Sequence, residues 1–129
     1  MQIKNFILID DSEATNVFHE IVLKERNTHT NVFPFITCQN ALDSNFPSDL
    51  NYKNTLLLLD LNMPEMNAWE FLDHIKRHKH PFSKLKIALL STGVNKASSS
   101  KMLQYTNIIE QLKKPLTLDQ VEFIESAYF

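Results

Sequence analysis

Residues Thr55 to Phe71, TLLLLDLNMPEMNAWEF, decide the fold. Leu56, Leu57, Leu58 and Leu59 run without alternation, the pattern of a strand covered on both faces, as in the middle of a parallel sheet. The run stops at Asp60, which places that acid at the strand's carboxyl end, the edge where open α/β sheets bind ligands. Asn62, Met63 and Pro64 read as a loop, because proline blocks continuation of a strand and restricts the residue before it. Asn67 then caps a helix carrying Ala68, Phe71, Leu72 and Ile75 on one face.

The rest of the chain repeats that order. Asn5 to Ile9 form an apolar strand followed by Asp10-Asp11, and Ser12 or Asp11 caps the next helix. In that helix Ala14, Val17, Phe18, Ile21 and Val22 recur at helical spacing and predict the buried face, with His19, Glu20, Lys24 and Glu25 turned to solvent. Asn31 to Thr37 predict a second strand, and Pro34, which lacks an amide hydrogen, places it at a sheet edge. A short helix is expected over Asn40 to Phe46, then a polar connection from Pro47 to Asn54. Pro81 to Lys84 turn the chain into a fourth strand, Leu85 to Leu90, which ends in Ser91-Thr92-Gly93. Asn95 to Tyr105 predict a mobile helix with a narrow packed face of Ala97, Met102 and Leu103. Ile108 to Leu112 form a fifth strand, Lys113-Lys114-Pro115 a loop, and Leu118, Val121, Ile124 and Tyr128 mark a last helix. Five strand-helix alternations predict a doubly wound α/β domain with all strand ends on one side.

Composition narrows the function. A chain of 129 residues fits one domain over 1–129. A net charge of -2 offers no basic face for direct nucleic-acid binding. Cys38 is the only cysteine and the N-terminus lacks a signal-peptide pattern, so a cytoplasmic location is the default expectation. No apolar run approaches the roughly 20 residues of a membrane span, which excludes insertion by a helix. Gly93 is the only glycine, so no glycine-rich phosphate loop or dinucleotide fingerprint exists.

On such a sheet the strand ends gather Asp10, Asp11, Asp60, Ser91 or Thr92, and Lys114. Clustered carboxylates raise one another's pKa unless a cation neutralises them, and an all-oxygen site with room for water suits Mg²⁺. Asp60 can then act as a nucleophile toward a phosphoryl group, with Lys114 as a point charge and a hydroxyl as hydrogen-bond donor. Asp10-Asp11 can also cap the first helix, a role compatible with holding metal. His74 and His78 share a helical face at ligand spacing, but cations at a helix's last turn suit its dipole, and no acid or cysteine completes a set. Cys38 reads as a small packing residue.

The acidic pair Asp10-Asp11, the motif DLNMPEMN around Asp60, Ser91 after the fourth strand and Lys114-Pro115 after the fifth match in order and spacing. In these features the whole chain resembles the receiver domain of two-component response regulators, of the chemotaxis-regulator-like kind. The resemblance implies a flavodoxin-like five-stranded sheet of order 2-1-3-4-5, with Asp60 as phosphoacceptor and Asp10, Asp11, Asp60 and the Asn62 main-chain carbonyl as Mg²⁺ ligands. It implies Ser91 as the switch hydroxyl and Lys114 as the phosphoryl contact, followed by a cis peptide to Pro115. It also implies a sensor histidine kinase or histidine phosphotransfer protein as phosphodonor, and a downstream protein partner whose identity the sequence does not give. No enzymatic output domain is expected.

Two positions depart from the family pattern. Ala68 stands where glycine is usual, and if the turn needed positive φ the methyl would cost on the order of 1 kcal/mol. Asn67 and Ala68 can instead enter a helix normally. Gln111 stands where many receivers carry a mobile aromatic ring, so coupling from Ser91 to the surface must run differently. The rival readings are a pseudo-receiver scaffold, whose mark is a lost acid or lysine, and an aspartyl phosphatase, whose second acid two residues after the first-strand nucleophile is Ser12 here. A flavin site needs a hydroxyl- or glycine-rich first loop, which Asp10-Asp11-Ser12-Glu13 is not.

Overall fold

The computed structural model describes residues 2–46 and 51–129. Strands β1 (Asn5–Ile9), β2 (Asn31–Phe35), β3 (Thr55–Asp60), β4 (Lys86–Ser91) and β5 (Ile108–Lys113) pair in parallel in the order 2-1-3-4-5. This is the flavodoxin-like arrangement. All six residues of β3 are buried at the centre of the sheet. Pro34 sits opposite Leu8 on edge strand β2, where its missing N–H leaves no ladder bond unmade on a further neighbour.

Helices α1 (Glu13–Arg26), α2 (Cys38–Asp43), α3 (Ala68–Arg77), α4 (Ser99–Met102) and α5 (Leu118–Tyr128) fill the connections. Because side chains alternate across a strand, the sheet sends successive residues into two cores. Ile7, Leu57, Leu59, Ile87 and Leu89 meet Phe71, Leu72 and Ile75 of α3 on one side. Phe6, Leu8, Leu56, Leu58 and Leu90 meet Leu23 of α1 and Val121 and Ile124 of α5 on the other. Arg26 locks that second layer by bonding both Glu125 carboxylate oxygens at 2.7 Å and the Ile3 carbonyl at 2.9 Å.

The helix ends have local causes. Asn67 and Glu70 form a reciprocal capping box at the start of α3, and Thr117 and Gln120 form another at α5. The Thr37 hydroxyl accepts from the Asn40 N–H, so α2 begins at Cys38 and ends at Asp43, where Ser44 bonds back to Ala41, rather than spanning Asn40 to Phe46. Phe46 is drawn instead into an aromatic cluster, with ring centroids 5.3 Å from Phe33 and 5.2 Å from Phe82. Of the expected connection from Pro47 to Asn54, residues 47–50 lie outside the described residues, and Tyr52–Asn54 make a single 3-10 turn.

Two further sequence expectations are corrected. The fourth helix is one turn, Ser99–Met102, not Asn95 to Tyr105; Ala97 and Met102 pack on the core but Leu103 is 83% exposed. A single turn with one capping hydroxyl, Ser98, cannot propagate far without an apolar face to bury. The first helix is turned the other way: Asn16, His19 and Leu23 are buried, while Val17, Phe18 and Ile21 are 55%, 49% and 53% exposed. Burying Asn16 Nδ2 and His19 Nε2 is tolerated because both atoms are hydrogen-bonded, while Asn16 Oδ1 is buried without a hydrogen bond among the described residues. Asn16 Nδ2 donates to the carbonyls of Asp10 and Phe35, and His19 Nε2 accepts from the Leu116 N–H at 3.1 Å.

Candidate functional site

Four of the five strands, β1, β3, β4 and β5, each deliver one part of the site to the same sheet edge. Asp10 follows β1 and is buried, its N–H bonded to the Phe35 carbonyl at 3.0 Å; Asp11 beside it is exposed. Asp60 ends β3, also buried, with one carboxylate oxygen accepting from the Asn62 N–H at 3.3 Å. Ser91 ends β4 and is buried, whereas Thr92 is exposed and its hydroxyl accepts from the Asn95 N–H at 3.3 Å. Lys114 follows β5, its N–H bonded to the Ser91 carbonyl at 2.9 Å and its peptide to Pro115 cis. Asn62, two residues past Asp60, is exposed.

The charges converge. Lys114 Nζ lies 2.6 Å from Asp10 Oδ2 and 3.0 Å from Asp60 Oδ1, bridging the two buried carboxylates. One oxygen from each of Asp10, Asp11 and Asp60 falls within 4.8 Å of the others, the only such group of His, Cys, Asp or Glu among the described residues. Burial pushes the Asp60 carboxyl up to about 6, helped by the Asp10 charge and opposed by its bond to Lys114. Burial by itself lowers the Lys114 pKa, but the bonds to Asp10 and Asp60 outweigh it and the net direction is upward. Asp60 is thus an ionisable group held at the margin of its charged form, with its countercharge in contact.

The donor set fits a hard divalent cation. It is all oxygen, one acid is open to water and two are walled in, and Asp10 Oδ2 has Lys114 as its ion-pair partner with no aligned hydrogen bond. Beside the acids lies an open groove of about 770 Å³, bordered by Asp11, Asn62, Trp69, Ala97 and Lys101. Trp69 stacks on Tyr105 at 5.5 Å and carries the Lys101 ammonium 5.2 Å from its ring, so it faces the segment after β4. Ala68 enters α3 with no positive φ, and the only non-glycine residue described with one is Lys79. The methyl at Ala68 is therefore unstrained. His74 and His78 pack ring to ring, with centroids 4.4 Å apart, away from this edge on α3. Cys38 is buried, and burial pushes its thiol up to about 12.

Two supporting residues escaped the sequence reading. Asn16 and His19 hold the loops that carry Asp10 and Lys114, through the Asp10 carbonyl and the Leu116 N–H. Burial lowers the His19 pKa, in keeping with a neutral ring whose Nε2 accepts a bond. The spacing of Asn16, His19 and Leu23 is helical, but two of its three members are polar, so hydrophobic periodicity passes over it.

No protein-family model matches the chain, and no curated protein matches its sequence. Solved structures do. A response regulator receiver protein from Dyadobacter fermentans is 26% identical, with a TM-score of 0.73 over 95% of each chain. A two component response regulator from Cytophaga hutchinsonii is 23% identical, with a TM-score of 0.76 over 98% of this chain and 96% of that one. The chemotaxis protein CheY4 of Vibrio cholerae is 17% identical, with a TM-score of 0.72 over 98% and 99%. With its 2-1-3-4-5 sheet, its acids and lysine at the strand ends and these likenesses over nearly its whole length, the chain has the receiver-domain fold of two-component response regulators.

Proposed function

We propose that this chain is a single receiver domain over 1–129, working in the cytoplasm, that accepts a phosphoryl group on Asp60. The observation that carries the proposal is the Asp10, Asp11 and Asp60 carboxylate cluster with Lys114 bridged between Asp10 and Asp60. A carboxylate oxygen of Asp60 attacks the phosphorus of a phosphohistidine on a histidine kinase or phosphotransfer protein. The P–N bond breaks as the acyl-phosphate P–O bond forms, and the electron pair stays on the imidazole nitrogen. Asp10, Asp11, Asp60 and the Asn62 main-chain carbonyl would hold Mg²⁺, which would supply positive charge to offset the negative charge of the transferred group. Lys114, 3.0 Å from the Asp60 oxygen, contributes its charge to the transferred group. The Ser91 hydroxyl, buried at the same edge, donates to a phosphoryl oxygen.

The exposed strip Val17, Phe18 and Ile21 on α1 supports docking of the phosphodonor there, since α1 begins just after Asp10 and Asp11. The output is a change of surface that a downstream protein reads, with no enzymatic step beyond turnover of the phosphoryl group.

Intact-protein mass after incubation with acetyl phosphate tests the reading. The expected result is a Mg²⁺-dependent phosphoryl adduct that EDTA suppresses and Asp60→Ala abolishes. If no adduct forms, and beryllofluoride also leaves Trp69 fluorescence unchanged, the phosphoacceptor reading fails and an unphosphorylated scaffold replaces it.

A further inference from the structure

Gln111, on β5 opposite Leu89, closes a polar circuit that no aromatic ring could make. Its Oε1 accepts from the Ala97 N–H at 2.5 Å and from the Ser91 hydroxyl at 3.4 Å. Its Nε2 donates to the Ala97 carbonyl at 3.1 Å and approaches Met102 Sδ at 3.7 Å. The two backbone groups of Ala97 fix which way the carboxamide faces, so Oε1 is the atom that Ser91 and Ala97 share. A half-buried amide with every polar atom partnered is a specific device, because leaving any of them unmade is costly.

The segment it clamps has little else to hold it. Val94 and Leu103 point to solvent, and α4 is a single turn. Ala97, Met102 and Tyr105 supply its apolar anchorage. Such a segment has low local stability, so one backbone clamp can set its position. Lys101 and Tyr105 then carry that position to the Trp69 ring.

We propose that Gln111 is the positioning residue that couples the state of Ser91 to residues 94–102, through the acceptor that Ser91 and Ala97 share. The inference rests on the phosphoacceptor reading of Asp60. When the Ser91 hydroxyl turns from Gln111 Oε1 to a phosphoryl oxygen, Oε1 is left to the Ala97 N–H alone and the clamp tightens. Reciprocity follows: whatever frees Ser91 from Gln111 makes the site bind a phosphoryl mimic more tightly.

The test measures amide hydrogen exchange over 94–102 with and without beryllofluoride and Mg²⁺, alongside mass after acetyl phosphate treatment. In the wild type, beryllofluoride is expected to slow exchange at the Ala97 amide several-fold. Gln111→Met, close in volume, is expected to form the phosphoryl adduct, show fast exchange at Ala97 in both states, and bind beryllofluoride about two- to tenfold more tightly, the worth of one neutral hydrogen bond. Gln111→Glu keeps an acceptor for Ser91 and the Ala97 N–H but sets a carboxylate oxygen against the Ala97 carbonyl, so it is expected to respond at the Ala97 amide with a smaller amplitude than wild type, which a purely space-filling role does not predict. Should the methionine variant fail to fold, Gln111→Leu carries the same comparison. An adduct with an exchange response of wild-type size in the methionine or leucine variant overturns the coupling alone, as does identical behaviour of the methionine and glutamate variants. A wild type that forms no adduct overturns the phosphoacceptor reading and the coupling with it.

Discussion

Replacing Asp60 by Asn should stabilise the protein in the absence of metal. The Asp60 carboxyl moves from an ordinary 3.8 to about 6 in the fold, chiefly through burial. Each pKa unit corresponds to about 1.4 kcal/mol, so the ionised side chain costs roughly 3 kcal/mol of stability at neutral pH. The sign is set by proton binding. Between 3.8 and about 6 the folded protein binds more protons at Asp60 than the unfolded chain, so stability falls as pH rises through that window. The cost is absent below the window and complete above it. Asparagine keeps the shape without the charge, while its new N–H₂ group needs a partner and takes back about 1 kcal/mol. The expected gain at pH of about 7.5 is about 1–2 kcal/mol, a rise in Tm on the order of 4–10 °C for a chain of this length. Urea unfolding in EDTA at two pH values reads it. At pH of about 4 the gain should shrink below about 1 kcal/mol, because the wild type is then largely protonated at Asp60 itself. His19 titrates in both proteins and cancels from the difference. Adding Mg²⁺ to about a hundred times its Kd should favour the wild type by about 2.7 kcal/mol and close the gap. An Asn variant less stable than wild type at neutral pH without metal, or equally more stable at both pH values, refutes the account of Asp60 as a strained buried charge.

Three further outcomes follow from the same geometry. Lys114→Met leaves Asp10 and Asp60 adjacent and buried with no cation, so adduct formation in a mass time course should slow more than about tenfold and recover in part as pH is raised. His19→Leu leaves the buried Leu116 N–H without an acceptor, so despite its apolarity it should cost about 1–3 kcal/mol by urea unfolding. Because the His19 pKa is lowered in the fold, its contribution is full above 6.5 and is lost as pH falls below that value, a dependence the leucine variant should lack. Phe18→Ser with Ile21→Ser on exposed α1 should change stability by under about 1 kcal/mol and leave phosphorylation by acetyl phosphate intact, while slowing transfer from a cognate phosphohistidine protein about tenfold or more.

What the sequence made legible was whatever depends on local chemistry. The leucine run of β3, the proline of β2 and the Asn67 cap each act through their own backbone, so strand order at the edge and the start of α3 follow from them. The strand-end residues Asp10, Asp60, Ser91 and Lys114 could be gathered because a parallel sheet puts every carboxyl end on one side. What stayed hidden depends on partners remote in sequence. The one-turn length of α4 reflects a segment clamped by Gln111 from β5 rather than by its own apolar face. Phe46 leaves the second helix because Phe33, Phe35 and Phe82 offer more buried contact than another helical turn.

The turned face of α1 ties these points together. Helical periodicity selects Val17, Phe18 and Ile21 as core because they are apolar, on the premise that whatever covers a sheet must be apolar too. That premise holds for a helix lying over the middle of strands, where every backbone group is already paired. The first half of α1 lies over strand ends, where the Asp10 carbonyl and the Leu116 N–H are left over from the ladder and the Phe35 carbonyl, already bonded to the Asp10 N–H, keeps a second lone pair to fill. Those groups need donors and acceptors, and Asn16 and His19 supply them; further along, where the sheet is paired, the inward residue is Leu23. The polar inner face is thus required by the loops that hold Asp10 and Lys114. The apolar residues Val17, Phe18 and Ile21 are left outside on the helix that follows the acidic pair, and under the proposed function that exposed strip would give a phosphodonor surface to grip.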